Sequence, residues 1–129
     1  MTPEEKARQK IDQWFSDAGW KVVDRDEYEP TCTAVAIREG LLKGNLEADY
    51  FLFINGKAVG VLEAKREEID AFSDKVCNQA VLYARNVPKI YQTYQKPLPI
   101  IFTSNGKDLY FCDFRKQDSC INQIMTIPT

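Results

Sequence analysis

Two acidic residues and one lysine form the group in this chain that is best suited to chemistry. Asp49 stands at the start of an apolar run, and Glu63 and Lys65 stand at the end of the next one. Residues two apart in a β-strand point to the same side, so Glu63 and Lys65 share a face. If the two runs pair as a hairpin, two carboxylates and an ammonium group meet at one end of it.

This combination of groups suits the hydrolysis of a phosphodiester, which is anionic and repels hydroxide. Two carboxylates can hold Mg²⁺, a hard cation that takes oxygen ligands and keeps several of its waters. The metal neutralises the phosphate and lowers the pKa of a bound water, while the lysine orients that water or stabilises charge in the transition state. Asp49 and Glu63 are therefore candidate ligands of Mg²⁺ or Mn²⁺, and the backbone carbonyl of Ala64 is a further one.

The turn of the hairpin decides whether the two acids can meet. Asn55-Gly56 is a strong signal for a two-residue turn, but that turn would place Asp49 opposite Leu62 and away from Glu63. A three-residue loop, Asn55-Gly56-Lys57, would correct the register, and so would a β-bulge in either strand. The proposed chemistry thus predicts a shifted register in which Asp49 lies opposite Glu63.

The hydrophobic pattern predicts the elements that carry these residues, in an α/β fold with a central mixed sheet flanked by helices. The apolar runs at 50–54 and 58–65 lack a polar face, which indicates strands covered on both sides. The predicted elements are a helix from Thr2-Pro3 to about Gly19, strands at 20–23, 33–38, 50–54 and 58–65, a helix at about 72–86, and strands at 99–103 and 109–114; loops are predicted at 24–30 and 40–45, and a mostly irregular tail at 116–129.

Composition narrows the classes of function. The 129 residues suffice for one domain, they contain no apolar run of the ~20 residues that span a bilayer, and the charged N-terminus is unlike a signal peptide, so we expect a cytoplasmic protein without membrane contact. The absence of histidine excludes catalysis by an imidazole, and the four cysteines lack zinc-site spacing. The net charge of −2 argues against tight autonomous binding of DNA. The cysteines, expected to be free thiols, are Cys32, Cys77, Cys112 and Cys120.

Several motifs carry a resemblance to a known family. The segment EADYFLFINGKAVGVLEAKRE (47–67) resembles the nuclease domain at the N-terminus of the R subunit of type I restriction enzymes. Its D-x13-E-x-K pattern is similar to that of the PD-(D/E)XK nuclease superfamily. QAVLY (79–83) fits the Q-x-x-x-Y motif of these and RecB-like nucleases, and PIIFTSNGKDLYFCDF (99–114) resembles the family's TNG strand-turn-strand with a serine inserted. AIRE (36–39) also resembles the family, so the likeness extends over nearly the whole chain.

The resemblance implies a restriction-endonuclease-like fold with an αβββαβ core. It assigns Asp49 and Glu63 to the metal and Lys65 to catalysis. Gln79 and Tyr83 would lie beside the site, to contact the DNA backbone or to position Lys65. Superfamily members often use an acid on the first helix, for which Glu5 is the candidate, although Glu5 also completes a capping box with Thr2.

The resemblance also implies a function. The chain would be a single nuclease domain, 1–129, that cleaves double-stranded DNA non-specifically after ATP-driven translocation. It has no G-x-x-x-x-G-K-[ST] phosphate loop, so ATP would act only through a translocase domain of the full-length subunit, with 116–129 as tail or linker toward it. Methyltransferase and specificity subunits would complete the complex. Two alternatives stay open: a stand-alone DNA repair or recombination nuclease of the same superfamily, and a catalytically inactive nuclease fold used as a docking module.

Overall fold

The residues that the structure describes form a seven-stranded mixed sheet with one helix on each face. The computed structural model describes residues 2–24, 27, 33–41, 47–87, 92–93, 98–113 and 122–124. The elements are α1 (Pro3–Asp17), β1 (Lys21–Asp24), β2 (Ala34–Leu41), β3 (Glu47–Ile54), β4 (Lys57–Ala64), α2 (Asp74–Arg85), β5 (Ile100–Ser104), β6 (Leu109–Asp113) and β7 (Asn122–Ile124). The predicted mixed α/β sheet flanked by helices is confirmed, and α1, β2, β3, β4, α2 and β5 follow each other in the predicted order.

The strands lie side by side in the order in which they occur in the chain. β1 with β2 and β4 with β5 are parallel pairs, and the other neighbours are antiparallel. Parallel neighbours need a crossover, and α2 provides it between β4 and β5. At the far end of α2, the N–H of Leu98 donates to the carbonyl of Ala84 (2.9 Å), just before β5 begins. The start of α2 therefore shares one edge of the sheet with the ends of β4 and β5 and the beginning of β3.

α1 covers one face of the sheet. It begins with the predicted capping box, in which Thr2 accepts from the backbone of Glu5 and the Glu5 carboxylate accepts from the backbone of Thr2. Ile11 and Phe15, one turn apart on the helix, are fully buried in an apolar cluster on this face. Gly19 follows the helix end with φ 92°, a conformation that favours glycine.

α2 covers the opposite face. The Ser73 hydroxyl accepts from the N–H of Val76 and caps the helix. Val76, Ala80 and Ala84 are buried, and the latter two pack in a second apolar cluster with side chains from the strands. The central strands are apolar on both faces because each face is covered by a helix.

The hairpin between β3 and β4 has a regular two-residue turn. Ile54 pairs with Lys57, and Asn55 and Gly56 have φ values of 51° and 79°. Positive φ at both central positions is the reason why Asn-Gly is favoured in this tight turn. The predicted three-residue loop, Asn55-Gly56-Lys57, is therefore wrong.

A β-bulge in β4 supplies the register shift instead. Phe53 pairs with Ala58, but Leu52 pairs with Gly60, so Val59 is an extra residue on β4. Every residue of β4 beyond Val59 is thereby moved to the opposite face relative to an unbroken ladder. The bulge, the second of the two alternatives, is the one that the chain uses.

Some predicted boundaries differ from the structure. β2 continues to Leu41, into the segment predicted as a loop at 40–45, and β7 lies within the tail predicted to be mostly irregular. The rest of that loop, most of the predicted loop at 24–30, and residues 114–121 and 125–129 lie outside the described residues. Of the helices that the structure describes, none is long and apolar enough to cross a membrane.

Candidate functional site

The bulge brings the two acids together. Tyr50 pairs with Leu62, and continuing this register places Asp49 opposite Glu63. Both carboxyl groups lie on the face that α2 covers, close enough for the charge of Asp49 to act on Glu63. The Glu63 side chain is 3% exposed and that of Asp49 is 15% exposed, so the pair lies in a largely buried position at the edge of the sheet.

Glu63 is held in a position that disfavours its charged form. Burial, followed by the negative charge of Asp49, raises the pKa of Glu63 to about 8, while the Lys65 ammonium group opposes the shift. Thr103 of β5, which lies beside Glu63 and is fully buried, helps to keep water away. A buried acid with a raised pKa beside a second acid is typical of functional sites.

Asp49 is fixed through both of its oxygens. Oδ2 accepts from the N–H of Ala64 (2.8 Å), and Oδ1 accepts from the guanidinium of Arg8. The N–H and carbonyl of a strand residue point toward the same neighbouring strand, so the Ala64 carbonyl points toward β3. The N–H of Lys65 points the other way, to the Ser104 carbonyl of β5 (2.8 Å).

Lys65 lies at the solvent side of the acid pair. Its Nζ is 3.7 Å from Oε2 of Glu63, and its side chain is 30% exposed. Because Lys65 and Glu63 are two apart, they share a face, as predicted. An ammonium group at this position can contact the Glu63 carboxylate on one side and an anion arriving from solvent on the other.

Arg8 was not predicted from the sequence to belong to the site. It comes from α1, on the opposite face, and reaches Asp49 at the edge of the sheet. The same guanidinium nitrogen is 3.6 Å from Oε1 of Glu4, one turn earlier in α1. Glu5, the candidate acid of this helix, is exposed and its carboxylate bonds to the Thr2 backbone (3.4 Å). No spacing along the chain links Arg8 to Asp49, and only the packing of α1 does so.

A polar network fixes α1 against the sheet. Arg38 of β2 donates twice to Oδ2 of Asp12 in α1 (3.1 Å each) and once to Oδ1 of Asp24 in β1 (3.2 Å). The Tyr50 hydroxyl contacts the Asp12 carboxylate and lies 3.2 Å from the Arg8 carbonyl. Burial and Asp12 raise the pKa of Tyr50. The arginine of the AIRE segment thus holds the helix that carries Arg8.

The turn after β5 holds the segment that follows Lys65. The buried Asn105 side chain donates to the carbonyls of Glu67 (3.3 Å) and Ile69 (2.9 Å). Its Oδ1 accepts from the N–H groups of Lys107 (2.9 Å) and Asp108 (2.7 Å). One amide therefore uses its donors and its acceptor to connect the turn to the segment that leads from β4 to α2.

The same turn also lies directly against α1. Gly106 has φ 82°, and a Cβ added there would lie 2.7 Å from Cα of Ala7. Only glycine allows this approach at this backbone angle. Since Ala7 precedes Arg8, the close contact at Gly106 helps to set where Arg8 meets the site.

Gln79 and Tyr83 lie on α2 as a hydrogen-bonded pair. Nε2 of Gln79 donates to the Tyr83 hydroxyl (2.9 Å). Tyr83 is buried in the apolar cluster beneath α2, whereas Gln79 is half-buried and one turn nearer to the start of the helix. Since α2 starts at the edge that carries Glu63, Gln79 is the nearer of the two to that edge.

Comparison with known families gives the context of this site. Residues 35–119, well over half of the chain, match the family described as type I restriction enzyme R protein N terminus. The chain belongs to this family. No curated protein and no solved structure shows a significant match. The matched range contains Asp49, Glu63, Lys65 and Asn105, whereas Arg8 precedes it.

Proposed function

We propose that this chain is the Mg²⁺-dependent endonuclease domain of a type I restriction enzyme R subunit, a PD-(D/E)XK nuclease. It hydrolyses phosphodiester bonds of double-stranded DNA non-specifically, after translocation driven by ATP elsewhere in the subunit. The observation that carries the proposal is that Asp49, Glu63 and Lys65 meet at one edge of the sheet. They do so because a bulge in β4 shifts the register of the simplest hairpin by one residue. Membership of the R protein family supplies the biological context.

The residues at this edge fit a hard divalent cation. The described part of the chain has no cluster of three or more His, Cys, Asp or Glu side chains able to hold a metal. Mg²⁺ needs no such cage, because it is commonly held by one or two carboxylates together with water and phosphate oxygens. The buried carboxyl pair of Asp49 and Glu63 supplies this donor set, with the Ala64 carbonyl as a third oxygen, and a cation there would favour the charged form of Glu63.

The roles of the side chains follow from their positions. When bound, the cation supplies charge neutralisation of the phosphate and a more acidic water. Asp49 is held in orientation by the Ala64 N–H, so that its carboxylate does not have to reorganise. Glu63, once ionised, accepts a proton from water, and Lys65 orients that water or stabilises the negative charge that develops on the phosphate oxygens.

Gln79 is the residue of α2 that we assign to substrate. Tyr83 is buried and accepts from Gln79, so it acts by positioning that amide, which then contacts the DNA backbone at the edge of the site. The net charge of −2 is unfavourable for DNA binding by this domain alone. We therefore assign most of the DNA binding to the translocase domain of the same subunit and to the methyltransferase and specificity subunits.

The proposal is tested in the reconstituted restriction complex with Mg²⁺, ATP and a plasmid carrying the recognition sequence. Asp49→Ala, Glu63→Ala and Lys65→Ala should each abolish cleavage, while ATP hydrolysis continues because the motor is a separate domain. Lys57→Ala is the matched control, since Lys57 is an exposed lysine at the opposite end of β4. Cleavage by Lys65→Ala at the rate of the Lys57→Ala control would refute the assignment.

A further inference from the structure

Arg8 occupies one of the two carboxylate oxygens of Asp49, a candidate metal ligand. Oδ2 of Asp49 accepts from the Ala64 N–H, and Oδ1 accepts from the Arg8 guanidinium. A guanidinium group is always charged and has no acceptor atom, so it cannot itself become a metal ligand. We propose that Arg8 is a resident counterion of Asp49 that a divalent cation must displace, and that Arg8 thereby weakens metal binding; this inference rests on the proposed function.

The charges at the site favour replacement of Arg8 by the cation over binding of both to Asp49. With both acids ionised, Arg8 and Lys65 each pair with one acid of the site, Asp49 and Glu63 respectively. A divalent cation would add two positive charges within a few ångströms of the guanidinium, in a partly buried position where screening by solvent is weak. Departure of Arg8 removes the closest positive charge and leaves Oδ1 for the metal.

The structure also provides a place for the displaced side chain. The same nitrogen of Arg8 that donates to Asp49 is 3.6 Å from Oε1 of Glu4, whose side chain is 52% exposed. The two residues are four apart on α1, the spacing at which oppositely charged side chains pair on a helix. The backbone of α1 is anchored to the sheet, because Ile11 and Phe15 are buried and Asp12 is held by Arg38. Glu4 is therefore already within ion-pair distance of the guanidinium that would leave Asp49.

The experiment measures Mn²⁺ affinity by calorimetry on this chain, so the readout is binding and not cleavage. Arg8→Gln is compared with Lys10→Gln, which removes the same charge from the same helix but at an exposed residue paired with Glu67. Loss of a charged hydrogen bond that competes with the metal should tighten binding roughly tenfold in Arg8→Gln relative to Lys10→Gln. In an Asp49→Asn background the Arg8 substitution should change nothing, and thermal unfolding shows that each variant is folded.

A second variant tests the group that would receive the displaced Arg8 side chain. Glu4→Gln removes the group that receives the displaced guanidinium, so it should weaken Mn²⁺ binding a few-fold, while Arg8→Gln and Glu4→Gln combined should bind like Arg8→Gln alone.

Three outcomes are decisive. Equal affinities for Arg8→Gln and Lys10→Gln would refute the counterion role and leave the metal site standing. Weaker binding by Arg8→Gln would also refute it, because Arg8 would then orient Asp49 for the metal. Absence of Mn²⁺ binding in both the wild type and Arg8→Gln would overturn the proposed metal site itself, and the inference with it.

Discussion

Replacing Glu63 with glutamine should stabilise the domain at neutral and alkaline pH in the absence of divalent metal. The pKa of Glu63 is raised from an ordinary 4.5 to about 8, because the group is buried beside Asp49. Between these two pH values the folded chain keeps a proton that the unfolded chain has released, so the free energy of unfolding falls as the pH rises. The contribution of the protonated group is fully present below pH 4.5 and is lost as the pH passes through about 8.

The size of the effect follows from that interval. At ~1.4 kcal/mol per pKa unit, the difference between the two pKa values lowers the free energy of unfolding by at most about 5 kcal/mol between acid and alkaline solution. Glutamine has nearly the same shape, carries no charge at any pH, and has an amide that can donate to a neighbouring carboxylate. The Glu63→Gln variant should therefore lack this part of the pH dependence.

Urea unfolding in the presence of a chelator measures the effect, at several values from about pH 5 to about pH 9. Glu67→Gln is the control, because Glu67 is exposed in the segment after β4. The wild type and this control should lose stability toward alkaline pH, whereas Glu63→Gln should not. Parallel profiles for the wild type and Glu63→Gln would refute the reasoning, because they would mean that burial of Glu63 has no consequence for its ionisation.

Three further predictions concern the metal ligands, Gly60 in β4 and the side chain of Asn105. The double variant Asp49→Ala, Glu63→Ala should lose Mn²⁺ binding in calorimetry, and binding equal to that of the wild type would contradict the site. Gly60→Ala should lower the free energy of unfolding by ~1–3 kcal/mol, because its Cβ would lie 2.3 Å from the Ile100 carbonyl oxygen; an unchanged urea midpoint would refute this. Asn105→Asp should speed amide hydrogen exchange in residues 66–70, because it replaces two donated hydrogen bonds with repulsion between oxygens, and unchanged exchange there would show that Asn105 does not hold this segment.

The elements of the fold could be predicted because they depend on local patterns. Thr2 and Glu5 predict the start of α1, and the spacing of apolar residues predicts whether each segment is a helix or a strand. The acids and the lysine were also predictable, since Asp49 and Glu63 flank a marked hairpin. Errors at strand ends, such as the extension of β2 to Leu41, arise because pairing with β3 continues past the last residue with a clear alternation.

The parts that could not be predicted depend on tertiary contacts. The choice between a longer loop and a bulge had one signal in the sequence, Gly60 in the interior of a strand, which is typical of a bulge or a close backbone approach. Arg8 gave no signal, since its contact with Asp49 exists only after α1 has packed on the sheet. The turn at Asn105 was predictable, but its hydrogen bonds to the backbone at 67 and 69 were not.

The order of the strands in the sheet has a consequence for how the domain forms. Each strand pairs with the one that precedes it in the chain, so each new strand finds its template already synthesised. Loops that close over short sequence separations lose little entropy and form quickly, and a chain that emerges from the ribosome can add strands one after another. The β3–β4 hairpin closes over a two-residue turn and contains Asp49 and Glu63, and Lys65 follows it directly. The contact between Gly106 and Ala7 spans most of the chain and must wait until the second half has emerged, so the acid pair should form before α1, and Arg8 with it, is finally fixed in position.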